Sequence, residues 1–478
     1  MPSKKSLNAR NLEALGTQRL AQLLLEISAG DAAAKRRLRL ELAGAESPAA
    51  VAREVRKRLG TIARSRSFVD WQTRRALVAD LATQRRAIVE QVAERDPSEA
   101  LDLMWRFLEL AGSVLQRCDD SSGTVSAVFD EAVDELGRIA VAAEAEPKAL
   151  ADRAYRALLD NGYGQYDDLI AVLVPSLGEA GLEHLKQRMI ALTDEPVRRP
   201  PDDERRVVSR GSGGVICRDE IEERSRMTAA RLALKDIADA QGDVDAFIGQ
   251  YDEQMRRVPR IAAEIAGRLL AAGRADEALD LLDSAEHDGR SWPCFEWEDA
   301  RIDVLDALGR RDEAQAARWS CFERSLSAPH LRAHLQRLAD FDDVVAENRA
   351  LAHALQFPSL LQALAFLAAW PALNEAARLV VDRSAELDGD AYEILTPAAE
   401  RLFARHPLAA TLLLRAMIDF SLQRTRSSRY RHAARHLMDC GALAASIEDF
   451  GAFETHEAYV ARLRREHGRK TAFWSLVA

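Results

Sequence analysis

At 478 residues the chain is longer than a single hydrophobic core sustains, so two lobes or a quasi-linear stack of units is expected. Aromatic residues make up only 6% of it, and no stretch keeps up the apolar–polar alternation of a half-buried strand, which excludes a large sheet core and predicts an all-α fold. The net charge is −10, yet residues 1–75 carry sixteen Lys/Arg against seven Asp/Glu, a local +9 that leaves −19 for the rest and excludes a uniformly acidic surface.

The first predicted helix runs from Asn8 to Ile27 with an apolar stripe at Leu12, Leu15, Leu20, Leu23 and Leu24; Gly30 ends it and Asp31 opens the next. Ser47-Pro48 starts a helix over Ala49 to Leu59, closed by Gly60. Phe68-Val69-Asp70-Trp71 leads into a long helix reaching about Val92. Here the aromatic pair reads as core and Asp70 as a cap, with an exposed recognition patch as the alternative. Asp96-Pro97 opens a helix whose buried face comprises Leu101, Met104, Trp105, Leu108 and Leu115. In the polar turn Cys118 to Gly123 the paired carboxylates offer a cation site or an acid and base, but the turn reads as helix capping by Asp or Ser side-chain oxygens, because a calcium loop would need further oxygen ligands and a terminal Glu. A helix over Val125 to Ala142 follows, then a hairpin of Pro147 to Leu159 and Tyr166 to Val174 joined by Asp160 to Gly164.

Between Asp194 and Gly214 the helical period fails in a Pro- and Gly-rich stretch, read as a linker at 196–214 between lobes at 1–195 and 215–478. Beyond it Gly242, Gly273 and Gly309 punctuate helical hairpins at spacings of 31 and 36. Gly273-Arg-Ala-Asp-Glu-Ala278 and Gly309-Arg-Arg-Asp-Glu-Ala314 are two copies of one inter-helix turn. Each glycine would take the left-handed position, with the acids at the positive start of the next helix. A period near 34 predicts tetratricopeptide-like units stacked as an α-solenoid. Less regular hairpins continue to a last helix over Thr455 to His467.

The chemistry-bearing residues are few. The five cysteines, Cys118, Cys217, Cys294, Cys321 and Cys440, are odd in number and never form a C-x-x-C pair, so neither a disulfide framework nor a zinc cluster is signalled and a cytoplasmic location is expected. The apolar run Leu360 to Leu373 is too short and too interrupted to span a bilayer, and the N-terminus has no apolar signal core. His432, His436 and Cys440 fall at i, i+4 and i+8, and His330 and His334 repeat the four-residue step. The glutamate of a H-E-x-x-H metal site is absent from both, so surface or half-buried histidines are the reading. Ser209 to Gly214 resembles a phosphate cradle only in its glycines, since no Lys-Ser/Thr follows. No cofactor and no catalytic residue is expected. The basic residues are nearly all arginine, scattered on polar helix faces, and those concentrated near the start form the candidate partner-binding set: Arg36, Arg37, Arg53, Arg56, Lys57, Arg64 and Arg66, with Asp70 and Trp71 beside them.

Ser6 to Leu15, Arg66 to Trp71, Arg117 to Thr124 and Asp239 to Phe247 resemble an uncharacterised all-helical bacterial family, a domain of unknown function. Two of these segments, with Tyr430-Arg-His-Ala and Leu463 to Lys470, are also similar to the helical-repeat region that follows the finger in SWIM-type zinc-finger proteins. That resemblance implies a shared helical scaffold; the Cys-x-Cys and Cys-x-His of the finger are absent, and its metal does not carry over. The expected function is a non-enzymatic scaffold that binds a protein or peptide on a solenoid surface, and the alternative is a nucleic-acid accessory protein using the N-terminal basic patch. No membrane partner is expected.

Overall fold

The computed structural model describes residues 7–196, 200–201, 205–211, 214–286 and 294–477, and almost every element in them is an α-helix. Two compact units divide the chain, Met1–Asp252 and Glu253–Ala478.

In the first unit the helix starts follow from local chemistry. Asp31 accepts from Ala33 N and Ala34 N, Ser47 Oγ from Ala50 N with Pro48 at the first helical position, and Asp96 from Glu99 N. Asp120 accepts from Val125 N at 2.9 Å and Ser126 N at 2.8 Å at the head of Ser126–Ala142, the capping role expected of that turn. The Pro48–Arg64 helix runs straight through Gly60, expected to close it, because Leu59 and Ile62 continue its buried face. Burying two large apolar side chains outweighs a glycine's roughly 1 kcal/mol helix penalty. The single helix expected over Asn8 to Ile27 breaks at Gly16 (φ +79°) into Ala9–Glu13 and Thr17–Ser28. Its apolar stripe stays outside the core, with Leu15 and Leu24 exposed and Leu12, Leu20 and Leu23 half-buried.

Pro97–Leu108 and Ser126–Ala142 pack together through Phe107 and Phe129, whose ring centres are 5.3 Å apart. Leu169–Asp194, kinked at Gly178, packs on Pro147–Leu159 and on Arg218–Gln241. The stretch expected to be a linker contains a two-stranded antiparallel hairpin, Val207–Gly211 with Gly214–Cys217. Arg218–Gln241 then sets Ala230, Ala233 and Ile237 into the first unit's core, so the units divide at residues 252/253 rather than within 196–214. Arg198 to Asp203 and the Ser209 to Gly214 glycine run lie partly outside the described residues, as does Lys4-Lys5.

In the second unit, Pro259–Ala271 pairs with Ala275–Asp283 and Phe295–Ala307 with Arg311–Ser325, and Pro259–Ala271 also packs on Phe295–Ala307. The two repeated motifs make matching turns. Gly273 and Gly309 sit at φ +74° and +72°; Arg274 N donates to Leu269 O at 2.8 Å and Arg310 N to Leu305 O at 2.9 Å. Each arginine then grips the glutamate three residues on with both nitrogens, Arg274 to Glu277 and Arg310 to Glu313. Leu373–Asp382, Tyr392–Leu402 and Tyr430–Ala444 pack around Pro407–Gln423, a helix buried on almost every side from Ala409 to Leu422, which is what a helix apolar all round requires. His456–His467 is capped by Thr455 Oγ1, close to the bounds expected.

Candidate functional site

Around that central helix, Tyr392–Leu402 and Tyr430–Ala444 leave a cavity of about 770 Å³, within the range that holds a small ligand or a few side chains of a peptide. Helical periodicity sets its lining. In Tyr430–Ala444, Ala433, Ala434, Leu437 and Cys440 face the core, which turns His432, Arg435, His436 and Asp439 towards the cavity. In the facing helix Tyr392, Thr396, Ala399 and Phe403 recur at the same spacing. Leu414 and Met417 of the central helix complete an apolar floor, and Glu400 joins the acids at the rim.

The polar groups are held in place. Arg429 donates to Asp390 Oδ1 at 2.6 Å and lies over the rings of Tyr392 and Phe420, its guanidinium carbon 4.8 and 5.6 Å from their centres. Ser421 Oγ donates to Met417 O, and Thr396 Oγ1 lies 3.5 Å from Met417 Sδ. His436 is half-buried, with Nδ1 enclosed and without a hydrogen-bond partner among the described residues. Burial holds its pKa below the ordinary value of 6.5; Asp439 opposes that shift, while His432 and Arg435 reinforce it. The imidazole is therefore neutral at pH 7. Among the described residues no cavity hydroxyl or thiol is hydrogen-bonded to it, so the arrangement offers a donor–acceptor ring above an apolar floor, flanked by two arginines and two carboxylates.

His432, His436 and Cys440 do not converge. His432 is exposed, whereas Cys440 is fully buried with Sγ 3.9 Å from Thr411 O, and burial pushes its thiol up to about 12. His330 Nδ1 lies 2.7 Å from Ser327 Oγ with Nε2 2.9 Å from Asp299, and His334 Nδ1 lies 3.2 Å from Gln315 O, beside the Trp319 ring. Among the described residues no three His, Cys, Asp or Glu side chains are grouped to hold a metal ion.

The N-terminal candidates divide into two sets. Arg53 pairs with Glu46 at 3.6 Å, Arg56 with Glu99, and Arg36, together with Arg58, with Asp80. Arg37, Lys57, Arg64 and Arg66 make no ion pair among the described residues. Asp70 Oδ1 accepts from Gln72 N and Thr73 N at 3.1 and 2.9 Å and caps Trp71–Ala87 as expected; these backbone donors, Thr73 foremost, hold its carboxyl below the usual range. The core reading of the aromatic pair is overturned: Phe68 is 68% and Trp71 69% exposed. The cause is a backbone pairing that sequence periodicity cannot register. Val69 N donates to Arg117 O and Asp119 N to Val69 O, which pins the segment along the surface. Sequence reasoning also missed the cavity, whose lining comes from separate helices and forms no linear motif.

Fold and cavity together define a mostly helical protein with an open cavity in its second unit. No helix among the described residues is long and apolar enough to cross a membrane. The chain belongs to a family of unknown function, DUF6880, whose profile matches residues 2–476, in keeping with the resemblance to an uncharacterised family read from the sequence. No curated protein matches it.

Proposed function

We propose that this protein is a non-enzymatic interaction scaffold whose second unit holds a peptide segment of a partner protein in the cavity between Tyr392–Leu402 and Tyr430–Ala444. The cavity carries the reading: an apolar floor of Ala399, Leu414 and Met417 takes a hydrophobic side chain, while Arg429 and Arg435 at the rim meet a carboxylate beside it. The hairpins carrying Gly273 and Gly309 extend the unit as tetratricopeptide-like repeats, a scaffold consistent with the similarity to the helical-repeat region of SWIM-type proteins. Support for it lies in the matched turns and in the packing of Pro259–Ala271 against the next hairpin.

Selection of a displayed random-peptide library on the full chain tests the proposal. Selected peptides are expected to carry an apolar residue next to Asp or Glu. They should lose binding to Ala404→Trp, which places an indole from an exposed position at the cavity wall, and to Arg435→Glu, which reverses a rim charge. Peptides that bind both variants as tightly as the parent chain would place the site elsewhere.

A further inference from the structure

A second surface lies in the first unit, on the segment joining Pro48–Arg64 to Trp71–Ala87. Phe68 and Trp71 stand about two-thirds exposed there, although large aromatic side chains ordinarily bury most of their area. Their backbone is fixed on both sides. Val69 bridges to Arg117 and Asp119, Arg117 Nη1 donates to Ser67 O at 3.1 Å, and Arg74 Nη1 to Asp119 O at 2.7 Å. Two rings on a pinned backbone lose little conformational freedom when a partner arrives.

The charge around the rings has one sign to spare. Residues 64–75 hold four arginines against the single acid Asp70, whose carboxylate is turned into its helix start. Arg64, Arg66 and Arg75 make no ion pair among the described residues. Arg74 and Arg117 donate to carbonyl oxygens there and have the carboxylates of Asp119 and Asp120 nearby, so the spare positive charge rests on Arg64, Arg66 and Arg75. In contrast, Arg36, Arg53, Arg56 and Arg58 in the neighbouring helices are matched with carboxylates.

We propose that this clip binds single-stranded nucleic acid, with unpaired bases stacked on Phe68 and Trp71 and the phosphates held by the unmatched arginines. A polyanion explains the surplus cations, and a flat π-face on each repeat of that polyanion explains why the two rings are held outward. An acidic protein partner would need the charges alone. The site is separate from the cavity of the second unit and does not rest on it.

The test is fluorescence anisotropy of labelled oligothymidylate and oligouridylate, about twenty nucleotides long, titrated with the full chain at about 50 mM and 200 mM salt. Saturable binding that weakens with salt is expected. Phe68→Ala and Trp71→Ala should each weaken it by about tenfold, as loss of one stacked base implies. Arg66→Gln with Arg75→Gln should lower the log–log salt slope by roughly 1.4, the single-strand value for two phosphates. Thermal melting of these three variants and of the combined Phe68→Ala/Trp71→Ala chain checks that the helices persist, and the double arginine variant, which removes no packed atoms, keeps the test open if an aromatic variant melts early. Absence of binding at the lower salt overturns the proposal, as does binding that survives loss of both rings. Displacement of the oligonucleotide by polyglutamate at equal charge concentration also overturns it, in favour of an acidic protein.

Discussion

Gly389 is the position where a single methyl group tests both the packing and the cavity. It is buried beside Pro407–Gln423 and lines the cavity mouth, and a Cβ built on it would lie 2.0 Å from Ala416 O and 2.7 Å from Phe420 Cβ. A carbon–oxygen contact ordinarily stands at about 3.3 Å or more, so in Gly389→Ala the loop must retreat by more than about 1 Å. Because the obstacle is the backbone of a buried helix rather than the end of a flexible side chain, overpacking should cost about 3 kcal/mol, at the upper end of its usual range. Gly309→Ala is the control. Its Cβ meets nothing within 4 Å, so only the left-handed conformation at φ +72° is penalised, by about 1 kcal/mol. For a unit of this size each kcal/mol moves the melting point by roughly 2–4 °C. Calorimetric melting of the full chain should thus show Gly389→Ala reduced by about 6–12 °C and Gly309→Ala by a few degrees. The same retreat should weaken peptides selected on the parent chain, since Asp390, which anchors Arg429, is the next residue. Equal melting points for the two variants would refute the close approach on which this reasoning stands.

Trp105, buried in the first unit, and Trp71 should respond oppositely: Trp105→Ala is expected to cost about 3–5 kcal/mol in chemical denaturation, and Trp71→Ala to stay within about 0.5 kcal/mol of the parent, with equal losses contradicting the exposure described. Asp120→Ala removes a carboxylate that accepts two backbone donors; burial alone would raise its pKa, but the N–H groups of Val125 and Ser126 outweigh burial and hold it below the usual value. The variant should lose about 1–2 kcal/mol near neutral pH, and the deficit should shrink as acid protonates the parent's Asp120, which comparative denaturation at pH 7 and pH 3 checks. Burial likewise lowers the folded pKa of His334, His436 and His456 below 6.5. As pH falls through 6.5 the unfolded chain takes up protons that the folded chain refuses, so stability is full above that value and declines below it. Melting points between pH 7.5 and 5 should show this decline, with a smaller slope in His436→Gln; an unchanged slope would mean that His436 titrates normally.

What could be read from the linear chain was local and periodic. Helix starts at Asp31, Ser47, Asp70, Asp96, Asp120 and Thr455 follow from one side-chain oxygen reaching a backbone N–H two to six residues away. The turns at Gly273 and Gly309 follow from a left-handed glycine and acids at the start of the next helix, again within a few residues, while the Arg–Glu pairs beside them came from the structure. The all-α class follows from apolar residues spaced by helical turns. Features set by distant contacts were decided only in three dimensions. Gly60 stays helical because Leu59 and Ile62 find a core; Arg218–Gln241 joins the first unit because Ala230, Ala233 and Ile237 fit against Leu169–Asp194; and Phe68 and Trp71 face outward because Val69 pairs with a strand-like segment about fifty residues on. The cavity is the clearest case. Tyr392, Met417 and His436 each occupy an ordinary helical position, and the space between them arises from how three helices meet, a property no spacing along the sequence encodes.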